Sequence, residues 1–196
     1  MAMIRQERAG DVGWRDALLD DVFGARLATK TAERLREGRL PADGLSFVAC
    51  EDGRIIGTVR LWNVAAGPGC PALLLGPLAV AADHRNRGLG SRLVRRALDT
   101  ARRLGHRAVL LVGDAPYYGR FDFSVDRTGA LWLPGPYERH RLLGRELEPG
   151  ALMDARGLVS ATGLERPKPR LAALVKSAAR VAGMHLDGPA LASHAV

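Results

Sequence analysis

The residues best placed by type and spacing to do chemistry are Arg85-Asn86-Arg87-Gly88-Leu89-Gly90-Ser91. They follow an apolar run and open directly into the most regular amphipathic stretch of the chain. A helix N-terminus carries unpaired N–H groups and the positive end of the helix dipole. Two glycines one residue apart let the backbone approach a phosphate with no Cβ in the way. Arg85 and Arg87 flank the turn and add charge-assisted contacts. The pattern is not a dinucleotide fingerprint, which needs a third glycine where Leu93 stands, and no Gly-Lys-Ser/Thr marks a P-loop. A plain strand-to-helix turn with surface arginines is the competing reading. The break in the preceding strand and the helix behind the turn favour phosphate binding.

A second group lies downstream, Asp114 followed by Tyr117-Tyr118-Gly119-Arg120-Phe121-Asp122-Phe123. Asp114 ends a strand, where it can accept a proton or cap a short helix that begins at Ala115-Pro116. His84 precedes the turn and reads as solvent-facing. Cys50 and Cys70 are too few for a disulfide scaffold, and no histidine is spaced to make Cys70 a nucleophile, so a packed thiol is expected.

The elements that must hold these residues can be read in order. Ile4–Arg8 reads as a strand, and Asp11 caps a helix through Phe23. A second helix is expected over Ala25–Glu37, ended by Gly38 and Pro41. Leu45–Cys50 and Ile55–Trp62 flank Glu51-Asp52-Gly53-Arg54, and Asp-Gly between β-rich runs signals a hairpin. Ala72–Val80 is a strand interrupted by Gly76-Pro77; proline cannot donate to a ladder, so it marks a bulge or a break. Leu89, Leu93, Val94, Ala97, Leu98, Ala101 and Leu104 form one face of a helix over Gly88–Leu104. Ala108–Val112 is apolar throughout, as in a strand buried on both faces. Ala130–Leu133 and Arg139–Leu147 are expected to add antiparallel strands. This order predicts a three-layer α/β fold: a mixed, mostly antiparallel sheet flanked by helices.

The chain has 196 residues, 47% hydrophobic and 26% charged, which suits one domain with an appendage. No apolar run approaches the roughly 20 residues that span a bilayer, and the first residues lack a signal-peptide core. A bacterial-type cytoplasmic protein is the expectation. There are 29 Lys+Arg against 21 Asp+Glu. That excess attracts polyanions, yet no recognition motif or basic–aromatic stripe singles out nucleic acid. Composition changes at Gly163, so residues 1–163 are expected to be the domain and 164–196 a basic extension. In that extension, residues 166–170 read as a linker, Leu171–Ala182 as an amphipathic helix and Pro189–Val196 as frayed.

Arg85-Asn86-Arg87-Gly88-Leu89-Gly90 resembles the R/Q-x-x-G-x-G/A motif of the GNAT superfamily of N-acetyltransferases, and Leu78-Ala79-Val80 is similar to the strand before it. The resemblance covers roughly residues 4–147. It implies acetyl-CoA as co-substrate, with its pyrophosphate on Arg87, Gly88, Leu89, Gly90 and Ser91 beside Arg85. Pantetheine would lie along Leu78, Ala79 and Val80, where a splayed strand opens a wedge. Tyr117–Phe123 resembles the family's F-Y-x-x-x-G-F run. It implies that Tyr118 protonates the departing thiolate, a transfer open to a phenol of pKa about 10 once the hydrogen bond is formed. Packing of both tyrosines under the sheet edge is the alternative. Asp122 stands where the family has glycine. These segments, with Arg145–Leu152, resemble the YhbS-like branch of the family.

The resemblance implies direct acetyl transfer to an amine, with Asp114 as the nearest candidate base and no metal. Two rivals remain from the sequence: an acyl-CoA-binding sensor without turnover, and a nucleic-acid-binding protein. A homodimer is left open.

Overall fold

The computed structural model describes residues 2–27 and 30–167. Residues up to Glu165 form one compact unit, and those from Arg166 onward are grouped apart from it. The helix expected over Leu171–Ala182 and the fraying expected over Pro189–Val196 lie outside the described residues.

Asp52 and Gly53, with φ of 49° and 77°, form the two-residue turn between β2 (Ser46–Glu51) and β3 (Arg54–Ala66). Positive φ at both turn positions matches the twist of the strands. β1 (Met3–Gln6) pairs antiparallel with the other edge of β2, two residues earlier than the sequence pattern placed its end. β4 (Pro71–Val80) returns antiparallel along β3, and β5 (Ala108–Val112) lies parallel to β4. The resulting order is β1-β2-β3-β4-β5-β7, with β7 spanning Leu142–Glu146 and pairing antiparallel with β5. The sheet is mixed and mostly antiparallel.

Helices and loops cover both faces. α1 (Val12–Phe23) and α3 (Leu89–Arg103) bury Leu18, Leu19, Leu93, Val94 and Ala97 against Phe47, Val59 and Leu111. The alternate side chains, including Trp62, Leu74 and Leu110, pack on the other face with Ala32, Leu35, Leu131 and Val159. This two-sided burial is why the first half of β4, Ala72–Leu75, and all of β5 read as apolar runs.

Three expectations are corrected. The helix expected over Ala25–Glu37 is broken: a 3-10 turn over Gly24–Arg26 is followed by the four-residue α2, Thr31–Arg34. Lys30 before α2 is extended, so the apolar pattern is met by two short pieces. β6, only Leu131–Trp132, pairs parallel with β8 (Gly157–Ala161), a strand the sequence reading missed. β8 lies antiparallel to Val64–Ala66, since β2 pairs only as far as Arg60 and leaves the far half of the long β3 uncovered. Arg139–Arg141 is a 3-10 turn, so β7 begins at Leu142.

Candidate active site

The split between β4 and β5 organises the site. The two strands pair only at Leu73↔Val109 and Leu74↔Leu110. Beyond that point β4 carries an extra residue relative to β3, because Val59 faces Leu78 while Leu61 faces Leu75. The surplus falls at Gly76-Pro77, which is cis, with Gly76 at φ 127°. The bulge foreseen at this proline is therefore present. Trp62 pins it, with Nε1 donating to the Gly76 carbonyl at 2.6 Å. Ala81 N–H bonds the Ile56 carbonyl on β3. By the two-residue alternation of a strand, Leu78 and Val80 turn their backbone groups away from β3, into the split. Arg85 Nε reaches back to the Val80 carbonyl at 3.3 Å.

At one end of the split lies the turn into α3. Gly88 caps the helix at φ 76° and offers no side-chain cap, and the first helical bond runs from Arg92 N–H to Gly88. The N–H groups of Leu89, Gly90 and Ser91 thus have no intrahelical partner. They open on a cleft of about 530 Å³, lined also by Val80, His84, Arg85, Tyr117 and Arg120. A Cβ on Gly90 would stand 2.9 Å from the Tyr117 hydroxyl, so any larger residue there would fill the cradle. Unpaired amides, basic side chains and the bare backbone of Gly88 and Gly90 fit a pyrophosphate. Among the expected contacts Arg87 is exposed and Ala79 buried, and neither lines this cleft.

His84 is half-buried rather than solvent-facing. Its ring nitrogens contact Asp83 Oδ1 at 2.8 Å and Glu51 Oε2 at 3.0 Å. Asp83 first, then Glu51, raises its pKa above the ordinary histidine value.

A second cavity, about 370 Å³, lies on the other side of the tyrosine pair. Leu78, Asp114 and Tyr118 line it, with Pro77 and Arg36. The two tyrosine rings meet edge-on at 4.9 Å, so Tyr117 faces the turn while Tyr118 faces the inner cavity. Burial, with Tyr117 beside it, pushes the Tyr118 phenol well above its ordinary pKa. It stays protonated across the physiological range, as a proton donor must. Asp114 precedes α4 (Ala115–Tyr118) without a side-chain cap, so its carboxylate is not committed to the helix.

The downstream turn keeps its form despite Asp122, which adopts the left-handed conformation (φ 61°, ψ 28°). Aspartate tolerates that region better than most residues. Cys70 is buried and donates to the Ala151 carbonyl at 3.3 Å, the packed thiol expected. Among the described residues no cluster of three or more His, Cys, Asp or Glu could hold a metal, and no helix is long and apolar enough to cross a membrane.

The sequence reading missed the basic side of the inner cavity, Lys30, Arg36 and Arg141. Arg36 is 7% exposed. Its Nη1 meets Glu33 Oε2 at 2.9 Å, and its Nε is buried without a partner among the described residues. An orphaned buried donor costs on the order of 1–3 kcal/mol. No motif flags it, since its burial depends on α2 folding over Gly76.

A mixed sheet split between two parallel strands, with a phosphate-type turn at one end, defines the architecture of the acyl-CoA-dependent N-acetyltransferases. Residues 13–123 match the sequence model of the Acetyltransferase (GNAT) family, and the chain belongs to it. It is 33% identical over 159 residues to YhbS of Escherichia coli K12, an uncharacterized N-acetyltransferase, covering 80% of this chain and 94% of YhbS. The crystal structure of E. coli YhbS in complex with CoA superposes with a TM-score of 0.70 at 31% identity, covering 84% and 96% of the two chains. A GNAT acetyltransferase of Brucella melitensis, solved with acetyl-CoA, shares the fold at a TM-score of 0.58 and 23% identity, covering 88% and 97%.

Proposed function

We propose that the protein transfers an acetyl group from acetyl-CoA to an amine by direct attack, in the cytoplasm. The observation that carries this reading is the pair of cavities flanking Tyr117 and Tyr118 at the β4–β5 split. One has the character of a phosphate cradle and the other of a small-molecule pocket. The inner cavity is lined by Asp114 and Tyr118, a proton acceptor and a proton donor, which turnover needs and a sensor does not.

Bound acetyl-CoA supplies a thioester as acyl donor. The amides of Leu89, Gly90 and Ser91, with Arg85, hold the pyrophosphate. Leu78 and Val80 present backbone groups to the pantetheine as a neighbouring strand would. An amide there also stabilises the carbonyl oxygen as charge develops on it, a donor fixed before the reaction begins. Asp114 takes a proton from the acceptor's ammonium, leaving the neutral amine that attacks; Tyr118 then delivers a proton to the thiolate sulfur, and the second proton shed by the nitrogen restores the phenol.

The test is incubation with acetyl-CoA and an amine library, read by mass spectrometry of acetylated products, alongside CoA-induced thermal stabilisation. Acetylated amine together with stabilisation is expected. Stabilisation with no product from any amine would favour the sensor, and absence of both would overturn the reading.

A further inference from the structure

Resting on the transferase reading, we infer that the amine acceptor is a small molecule that also carries a carboxylate, held side-on by Arg36. A guanidinium is planar, and its Nε–H and one Nη–H point the same way as a fork that matches two carboxylate oxygens. In Arg36 the other end is occupied, Nη1 by Glu33 at 2.9 Å. The Nε/Nη2 edge is what remains. Among the described residues, buried Nε has no partner and no hydrogen bond engages Nη2. An arginine serving only the core would turn these donors onto backbone carbonyls. Here the group lines the inner cavity with Nη2 against Gly76, where a Cβ would come within 2.9 Å. Glycine at position 76 therefore lets the guanidinium sit beside the bulge that opens the split.

The remaining charges suit a zwitterion. Glu138 is 3.6 Å from Arg141, and the Lys30 ammonium stands 4.3 Å over the Phe23 ring. Asp114, across the cavity on the β5 side, is left to face an ammonium. Glu33 already shares the Arg36 charge, which favours a monoanionic carboxylate over a dianionic phosphate. A cavity of about 370 Å³ suits a small molecule.

The experiment compares kcat/KM for amino acids, their carboxamides, the matching decarboxylated amines and phosphoethanolamine, with CoA-induced stabilisation measured in parallel. The acids should exceed their carboxamides by roughly 10- to 150-fold, the worth of a charge-assisted pair. Arg36→Gln should erase that preference chiefly through KM, and Arg36→Lys should restore part of it, while both keep the CoA-induced stabilisation. The acid–amide comparison in the unaltered protein stands even if the variants fail to fold. Equal turnover of acids and carboxamides would overturn the carboxylate while leaving the transferase reading intact, and so would a preference for phosphoethanolamine. Acid selectivity that survives in a folded Arg36→Gln protein would overturn the role of Arg36. No turnover of any amine would instead count against the transferase reading on which the inference rests.

Discussion

Gly113→Ala offers a way to move the Tyr118 hydroxyl without touching its chemistry. Gly113 follows β5, and a Cβ built on it would lie 2.7 Å from Tyr118 Cδ2, closer still to Cε2, and 2.9 Å from Leu111 Cδ1. Carbon atoms pack at about 3.5–4.0 Å, so the ring must retreat by about 1 Å. It has little room, because the rings of Tyr117 and Phe123 stand 4.9 and 5.9 Å away by centroid. Overpacking of this kind costs about 1–3 kcal/mol of stability. A misplacement of about 1 Å at a catalytic group can lower kcat by about 100-fold, comparable to loss of a general acid by Tyr118→Phe. CoA-induced stabilisation should persist in both variants, since the turn lies beyond Tyr117. If the alanine acts through Tyr118, the double variant should be no slower than Tyr118→Phe alone. The assay is steady-state kcat with acetyl-CoA and an amine acceptor, with CoA stabilisation as control. Wild-type kcat in folded Gly113→Ala, or a double variant whose loss is the product of the single losses, would refute the positioning argument.

Gly90→Val places a branched side chain against the Tyr117 hydroxyl and into the cradle. It should abolish CoA-induced stabilisation while the apo protein melts cooperatively, and a retained shift would move the pyrophosphate elsewhere. Protonated His84 adds a cation to the cleft, and its folded pKa is raised, so its stabilising contribution is complete below about pH 6.5 and is lost as pH rises through that raised value. CoA affinity measured by titration calorimetry should weaken over the same window, and His84→Asn should flatten the profile; an unchanged profile would remove His84 from the cleft. Leu40 N–H bonds the Leu164 carbonyl and Arg39 pairs with Glu165, so a chain ended after Pro167 keeps these ties. It should remain folded and bind CoA, whereas insolubility would make the extension part of the core.

What the sequence disclosed and what it concealed divide along a physical line. Asp52-Gly53, Gly76-Pro77 and Gly88-Leu89-Gly90 are readable because each meets a local backbone demand, a positive φ, a missing donor or a bare approach. That demand holds whatever packs nearby. The face of α3 is readable for a similar reason, since fifteen residues give the helical period time to declare itself. β8 and β6 are five and two residues long, and their pairing answers an open edge on β3 that no local pattern records. The region 25–37, expected as one helix, is broken by an extended Lys30, a case where tertiary fit overrides a weak propensity. The inner cavity compounds these failures. Its lining comes from residues near 30, 76, 113 and 138, and Arg36 is an ordinary arginine until α2 folds over Gly76. Asp122 marks the boundary between the two kinds of information. Its side chain departs from the motif, but the motif requires a left-handed turn rather than a glycine, and Asp122 supplies it. The cofactor half of such a site is thus written in backbone conformation, and a sequence can show it. The acceptor half is written in side chains gathered from afar, and it becomes legible only in the fold.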